Sequence, residues 1–324
     1  MRRREFIVLL GSVVVGWPLT TRAQQPKGLP RVGVLVGASP PYPFADALLR
    51  GLHALGYREG QNIALDIRYT MGQADRAAEL AADLVRLRVD VIVAHWTQAT
   101  RAAMAATQSI PIVMVVGAPV KSGFVDSVAR PGRNGTGISA MDSEMAGKRL
   151  QILRELDPGL VRIAVLGTTP ATNPYSGPFV EDLRQAAERA SLQLEPVLIS
   201  GPDEFESAFA RMAKAGAQAV VVQEHFDHHR APLLALASKH KLAYMSGTRE
   251  TTMAGGLVSI SANWPDLYER AASYVDKILK GSKPATMPVE QPTKFQIVLN
   301  MKTAQQLGLT VSPSLLAQVD EVIE

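Results

Sequence analysis

The chain has 324 residues, which is more than one domain with a single hydrophobic core ordinarily contains. Its 47% hydrophobic and 20% charged residues exclude disordered and fibrous proteins. The absence of cysteine excludes thiol nucleophiles, disulfide scaffolds, thiolate zinc sites, iron–sulfur clusters and a lipid anchor on a cysteine. The net charge of +4 does not indicate a nucleic-acid partner, because four arginines lie in the first 23 residues and the rest is close to neutral.

The N-terminal segment has the pattern of a signal peptide. Arg2-Arg3-Arg4 precedes an uncharged, mainly apolar run at 6–17, and Thr21-Arg22-Ala23 places small residues at the −3 and −1 positions of a cleavage site. The pattern predicts removal of residues 1–23 and a periplasmic location, and Arg3-Arg4-Glu5-Phe6 also resembles a twin-arginine signal. A retained membrane anchor is disfavoured, since the run is shorter than the roughly 20 residues that span a bilayer.

The first half of the mature chain alternates apolar strands with amphipathic helices. Strands are predicted at 31–36, 63–69, 90–94 and 112–116, and helices at 44–55, after a cap at Asp75, and at 97–107. This alternation predicts a parallel sheet with helices on both faces. Residues 129–143 have no helical or strand period and are rich in Pro and Gly, which predicts a loop.

After this loop the same alternation begins again. Helices are predicted at 143–156, at 179–190 and after a cap at Asp203, and strands at 161–166, 193–199, 217–222 and 243–246. A long helix at 264–279, a Pro-rich crossing at 284–292, a strand at 295–299 and two short helices end the chain. We therefore expect two α/β lobes with a hinge, one of residues 30–141 and 262–290, the other of residues 142–261 and 291–324.

Sequence motifs of catalysis and of phosphate binding are absent. The chain has no GxGxxG, P-loop, GxSxG or HExxH motif, so no catalytic residue and no cofactor is predicted. His225-Phe226-Asp227-His228-His229 collects imidazoles beside a carboxylate, but successive residues point in different directions. We predict no metal there, and instead a solvated helix N-terminus capped by Asp227.

Polar and aromatic residues follow the predicted strands at their C-terminal ends, which is where open α/β sheets bind ligands. Helices start in these loops, so their free N–H groups suit a carboxylate, and the guanidinium of Arg249 is predicted to pair with the same group bidentately. The candidate ligand-binding residues are Ser39, Trp96, Thr97, Gln98, Pro119, Thr169, Asn173, Tyr175, Gln223, Glu224, Phe226, Thr248, Arg249 and Glu250.

Motifs along nearly the whole mature length resemble the TrpX-like family of ABC-type substrate-binding proteins, relatives of the type I periplasmic binding proteins. They lie at 31–35, 51–63, 90–94, 110–113, 129–137, 146–150 and 254–257. The most specific are Tyr274-Val275-Asp276-Lys277-Ile278-Leu279-Lys280-Gly281 and Pro288-Val289-Glu290-Gln291-Pro292-Thr293-Lys294-Phe295. The resemblance implies a Venus-flytrap pair of lobes with three crossings, closure on a small solute, and delivery to a membrane permease. The sequence departs from the family's pattern at His95-Trp96-Thr97 and at 247–251, which are the segments where a ligand would bind.

The resulting hypothesis is an exported, non-enzymatic binding protein for an ABC importer. It captures a small organic solute, an amino acid or an aromatic or other organic carboxylate, and its partners are that solute and the ABC permease. It is expected to be a monomer without metal or cofactor. A ligand-sensing domain of a membrane receptor remains an alternative, as does an exported hydrolase that uses Glu224 or His225 as base.

Overall fold

The computed structural model describes residues 28–40, 43–141, 145–170, 173 and 176–324. The predicted signal segment 1–23 and the candidate residue Tyr175 lie outside the described residues. In the described ranges no helix combines the length and the apolar character needed to cross a membrane.

The first lobe is built on a five-stranded parallel sheet with the order β2-β1-β3-β4-β5. Most positions of β1, β3 and β4 are buried on both faces, as continuous apolar runs require when helices cover a parallel sheet on each side. The elements of this half of the chain are β1 (Arg31–Val36), α1 (Pro43–Ala54), β2 (Ala64–Tyr69), α2 (Ala74–Arg86), β3 (Val91–His95), α3 (Trp96–Ala106), β4 (Ile112–Val116) and β5 (Gly135–Ser139).

Strand β5 corrects the prediction of a loop at 129–143. Gly137 has a φ of +139°, and a Cβ on it would lie 2.1 Å from the backbone oxygen of Met114 on β4. A Cβ on Gly135 would likewise lie 2.2 Å from the methyl carbon of Met104. At position 137 only glycine permits so close an approach, because the near atoms are backbone, and glycines carry no apolar alternation, so this strand left no periodic signal in the sequence.

The second lobe is built on a seven-stranded sheet with the order β12-β11-β10-β9-β8-β6-β7. The pairing of β10 with β11 is antiparallel and the other pairings are parallel. The strands are β6 (Arg162–Thr168), β7 (Gln193–Ile199), β8 (Ala219–Val222), β9 (Ala243–Ser246), β10 (Val258–Ala262), β11 (Phe295–Asn300) and β12 (Glu321–Ile323). The helices after β5 are α4 (Met145–Leu156), α5 (Ser176–Arg189), α6 (Phe205–Lys214), α7 (Arg230–Lys239), α8 (Arg249–Met253), α9 (Trp264–Leu279), α10 (Met301–Gln306) and α11 (Pro313–Leu316). The predicted α/β fold with helix-flanked parallel sheets is confirmed.

Helix α9 leaves the second sheet and packs against the first. Asn263 caps its N-terminus, where the side-chain oxygen accepts from the backbone N–H of Asp266 at 3.1 Å, and the helix then runs along α1. Gly51 of α1 permits this contact, because a Cβ there would lie 2.5 Å from the backbone oxygen of Glu269. The chain returns to the second sheet at β11, so the connections before α9 and before β11 both pass between the two sheets.

Two predicted helix caps are wrong. Helix α2 begins at Ala74 after the N-cap Gln73, which places Asp75 inside the first turn, where it meets the helix dipole rather than capping. Asp203 lies inside a 3₁₀ turn, Pro202–Glu204, and α6 starts after Glu204 without a side-chain cap. Both carboxylates lie close to a helix start, but the backbone turns at a different residue from the predicted one.

Candidate functional site

A cavity lies between the two lobes, at the C-terminal ends of strands from both sheets. Its empty volume is about 590 Å³, part of which is open to solvent. The first lobe lines it with Gly37, Trp96, Thr97, Gln98, Gly117 and Trp264, and the second lobe with Asn173, Phe179, Gln223, Glu224 and His225. The cavity therefore occupies the crevice in which open α/β sheets place their ligands.

Trp96 gives the first-lobe wall an aromatic face. Its φ of +68° is a left-handed conformation that a bulky residue adopts only under constraint, and such residues cluster at binding sites. The ring lies 4.5 Å from that of the fully buried His95, which in turn meets the Tyr268 ring edge-on at 5.1 Å. A Cβ on Gly37 would lie 3.0 Å from the Trp96 ring, so this glycine leaves room for the indole.

His95 supports this wall as a neutral, apolar-packed ring. It is fully buried among aromatic side chains, and its centroid is 6.2 Å from that of Trp264, which also lines the cavity. Burial lowers the pKa of His95 well below its ordinary value. The imidazole is therefore uncharged at neutral pH and serves as a packing surface beneath Trp96.

Gln223 ties together the strand ends of the second-lobe wall. Its side-chain oxygen accepts from the backbone N–H of Thr168 and from the hydroxyl of Ser176, both at 3.0 Å. The Thr168 and Ser176 hydroxyls are themselves 2.6 Å apart. Because these residues end β6 and begin α5, this buried network holds β8, β6 and α5 in one arrangement beside the cavity.

An ion pair lies at the same wall. The Nη2 of Arg149 is 3.4 Å from Oε1 of Glu224, and the side chains are 2% and 16% exposed respectively. The Arg149 guanidinium carbon also lies 5.9 Å from the ring centre of Phe179, close enough for a cation–π contact. Among the lining residues that the structure describes, Glu224 is the one carboxylate, and none is Lys or Arg.

The histidine-rich segment forms a 3₁₀ turn, Glu224–His229, rather than the start of an α-helix. Asp227 does not cap it as predicted, because its Oδ1 accepts instead from the hydroxyl of Thr251 at 3.1 Å. Burial raises the pKa of Asp227 to about 6. No group of three or more His, Asp or Glu within the described ranges is arranged to hold a metal ion.

Of the thirteen candidate ligand residues that the structure describes, six line the cavity and seven do not. Those at the cavity are Trp96, Thr97, Gln98, Asn173, Gln223 and Glu224. Ser39, Pro119, Thr169, Phe226, Thr248, Arg249 and Glu250 are not among the described lining residues. Phe226 is buried in the second-lobe core and meets the Phe205 ring edge-on at 5.6 Å.

Arg249 is occupied within its own lobe. Its Nε lies 2.6 Å and its Nη2 2.5 Å from the two carboxylate oxygens of Glu321 on β12. Thr248 forms the adjoining turn, in which its N–H donates to the Ser246 hydroxyl at 3.2 Å. The predicted pairing of Arg249 with a ligand overlooked this partner because β12 was not predicted.

Sequence reasoning left several contributors to the site out of the candidate list. Phe179 and Trp264 lie in the first turn of helices that follow strands, so the rule that selected Trp96 could have selected both. Gly37 and Gly117 directly follow β1 and β4, but only their lack of a side chain makes them part of the site. Arg149 left no local signal, since α4 reads as an ordinary core helix.

Acidification is expected to weaken the fold partly through His225. Burial, assisted by the nearby His229, lowers the pKa of His225 from 6.5 to about 4. The unfolded chain therefore takes up a proton near pH 6.5 that the folded chain does not take up until about pH 4, and the free energy of unfolding falls as the pH drops through this window. Urea unfolding at pH 7, 6 and 5 measures how steeply the free energy of unfolding changes with pH. This slope should be smaller for His225→Gln than for the parent chain by about 1 kcal/mol per pH unit.

The comparison reports on His225 together with its coupling to His228, whose pKa it helps to lower to about 4, whereas Asp227 is present in both proteins. Its raised pKa acts with the opposite sign, adding stability as the pH falls towards 4, and so it cancels in the difference between the two slopes. Identical slopes for the two proteins would contradict the assignment of His225 as a buried neutral group.

Comparisons with known proteins agree with this architecture. The family model described as ABC transporter substrate binding protein matches residues 32–323. The chain is 25% identical over 263 residues to the tyrosine-binding protein of Clostridioides difficile (strain R20291), covering 81% of this chain and 75% of that protein. It matches the crystal structure of an ABC domain in complex with L-Trp from Streptococcus pneumonia with a TM-score of 0.83 at 25% identity, covering 91% and 100% of the two chains.

A more distant likeness concerns the fold alone. The leucine binding protein LivK from Thermotoga maritima matches with a TM-score of 0.56 at 15% identity, covering 80% of this chain and 78% of that one. Together with the two sheets and the cleft between them, these matches confirm the predicted type I periplasmic-binding-protein fold.

Proposed function

The chain belongs to the family of ABC transporter substrate-binding proteins, and we propose that its cavity captures an aromatic amino acid for an ABC importer. The membership confirms the resemblance drawn from the sequence motifs. Proteins of this family bind small solutes for a transporter and the family is not one of enzymes. The work of the chain on this proposal is binding and release, without any bond being broken.

The observation that carries the proposal is one cavity that has aromatic rings on both lobes and a carboxylate, Glu224, on the second. Trp96, Trp264 and Phe179 offer ring surfaces on which a planar side chain can stack. The names of two relatives, a tyrosine-binding protein and an ABC domain bound to L-Trp, point to the same class of solute. An aromatic side chain between these rings would gain both burial and stacking.

The polar lining suits the two charged groups of an amino acid. Thr97 and Gln98 lie in the first turn of α3, where backbone N–H groups and the positive end of the helix dipole favour a carboxylate. Glu224, on the opposite lobe, would accept from the solute's ammonium group. A zwitterion that satisfies both lobes at once would stabilise the closed form over the open one.

Closure of the lobes is the second part of the proposal. We assign residues 30–141 and 262–290 to one lobe and residues 142–261 and 291–324 to the other, with the hinge at the crossings. Contacts already join the lobes beside the cavity: Lys121 pairs with Asp182 of α5, and Ala118 packs into the second-lobe core. Such contacts require the lobes to be close together, and they would break on opening.

Titration calorimetry with L-tryptophan, L-tyrosine and L-phenylalanine is the test of the proposed solute class. Binding of at least one of them is expected, together with a smaller radius of gyration by small-angle X-ray scattering on saturation, because ligand bound to both lobes selects the closed form. L-Leucine and glycine serve as solutes that lack the aromatic ring. Binding without compaction would contradict closure, and no binding of any aromatic amino acid would contradict the solute class.

Export to the periplasm and a monomeric state complete the proposal. Protein recovered from the periplasm of a bacterial host should begin at Gln24, because the signal peptide is removed after Ala23. Replacing Arg3 and Arg4 together by Lys should reduce export only if the twin-arginine route is used. Recovery of the chain from the cytosol with Met1 still present would contradict export.

A further inference from the structure

The Glu224 carboxylate lies against the backbone of a neighbouring turn at Gly247. A Cβ built on Gly247 would lie 1.6 Å from Oε1, 2.5 Å from the carboxyl carbon and 2.8 Å from Cγ of Glu224. The three heavy atoms nearest to such a Cβ therefore all belong to the Glu224 side chain. The space that a side chain at position 247 would fill is therefore the space that the carboxylate occupies.

The glycine at 247 is required by this contact and not by the backbone. Gly247 is absent from the residues with positive φ, so alanine can adopt its conformation without strain. An added methyl group would meet the end of a flexible side chain, which can rotate away. Substitution should therefore displace the carboxylate without straining the backbone.

Arg149 pairs with the same oxygen. Its Nη2 is 3.4 Å from Oε1 of Glu224, and its side chain is only 2% exposed, so the guanidinium lies behind the carboxylate rather than in the cavity. The pair is thus an oriented dipole, with its negative end at the lining and its positive end buried. Arg149 also contacts the ring of Phe179, a second lining residue, so it supports two parts of the wall.

We infer that Gly247 is a specificity-determining position and that Arg149 is a positioning residue. Together they fix the position of the Glu224 carboxylate. In that position the carboxylate favours an acid that carries a protonated amine over the same acid without the amine. The inference rests on the proposed function and adds the residues that enforce the choice. A carboxylate that pairs with a buried guanidinium and packs against a glycine turn is pre-organised, so its preference for a cation does not depend on ordering a flexible side chain.

The test compares matched solutes on the parent chain, on Gly247→Ala and on the control Gly177→Ala, whose added Cβ has nothing within 4 Å. The solute pairs are L-tryptophan with indole-3-propionate, and L-tyrosine with 3-(4-hydroxyphenyl)propionate, measured by titration calorimetry. The parent and Gly177→Ala should prefer the amine by about tenfold or more, the effect of one charge-assisted hydrogen bond. Gly247→Ala should lose most of that preference by binding the amine more weakly, with unchanged affinity for the acid lacking it.

A double variant shows whether Gly247 acts through Glu224. Adding Gly247→Ala to Glu224→Gln should change the amine preference no further, because the carboxylate that the methyl group displaces is already absent. The inference would be overturned if Gly247→Ala bound both solutes of a pair more weakly by the same factor. It would also be overturned if Gly247→Ala kept the parent's preference for the solute with the amine. A parent chain that binds both solutes of a pair equally would overturn it too and leave the aromatic solute class standing. A parent chain that binds neither would overturn both.

Discussion

Replacing Glu224 by Gln is expected to lower the free energy of unfolding by about 3 kcal/mol, a large part of the stability of an ordinary domain. The substitution keeps the shape of the side chain but removes the negative charge that lies 3.4 Å from the Arg149 guanidinium. Arg149 is 2% exposed, so the substitution takes a counter-charge from a buried guanidinium. Urea unfolding of the ligand-free protein, monitored by circular dichroism, measures the loss.

Two further variants test the cause of this loss. Arg149→Met combined with Glu224→Gln should recover most of the stability, because replacing a whole buried pair by uncharged groups is close to neutral. Glu181→Gln serves as the matched control, since Glu181 pairs with Arg184 on the surface, where both side chains are nearly half exposed. That control should change the stability by less than about 1 kcal/mol. A stability of Glu224→Gln equal to that of the parent would show that Arg149 does not depend on this carboxylate.

Trp96→Ala is expected to weaken binding of an aromatic amino acid by about ten- to a hundredfold. The indole lines the cavity and is held by the ring of His95 beneath it, so its removal takes away one of the two aromatic rings, Trp96 and Trp264, that the first lobe offers to the solute. Titration calorimetry with whichever aromatic amino acid binds the parent gives the change. Met71→Ala is the control, because Met71 lies in the same lobe with a similarly positive φ of 54° but is 43% exposed and does not line the cavity.

Trp96→Gly separates the role of the ring from that of the backbone. Trp96→Gly should bind the solute as weakly as Trp96→Ala does. Its free energy of unfolding should be about 1 kcal/mol higher than that of Trp96→Ala, because glycine adopts a φ of +68° without the strain that alanine has there. Both proteins lose the packing on His95, so this loss cancels in the comparison. An unchanged affinity together with a strongly lowered melting temperature in Trp96→Ala would identify Trp96 as a core residue and contradict its role in binding.

The strands of both sheets were predictable wherever their burial produces an apolar run. β1, β3 and β4 are buried on both faces and have continuous Val, Ile and Leu, so composition and length alone locate them. β5 was missed because Gly137 is selected by the closeness of Met114, its partner on the neighbouring strand β4, and a contact between strands leaves no local signal in the sequence. β12 was missed because it has three residues and no fully buried position.

The placement of the site at the strand ends was likewise predictable, but the choice among the residues there was not. The topology of a parallel sheet brings Trp96 and Glu224 to the edges that face the cleft, and the alternation of strands and helices is enough to say so. The choice between Arg249 and Arg149 could not be made in this way. Arg249 follows a strand and is engaged by Glu321, whereas Arg149 lies in a helix of the core and reaches the back of the cavity wall.

The amino-acid sequence by itself determined the α/β class, the repetition of the unit and the edge of each sheet that carries the site, since these follow from periodicity and punctuation within short stretches of chain. Only the tertiary structure decided which side chains meet there. Glu224 is held by Arg149, 75 positions away, and lies in space left by Gly247, and His95 becomes a neutral support only because aromatic residues of α9 bury it. Contacts between distant segments depend on how helices and sheets pack, and local propensity carries no information about that packing.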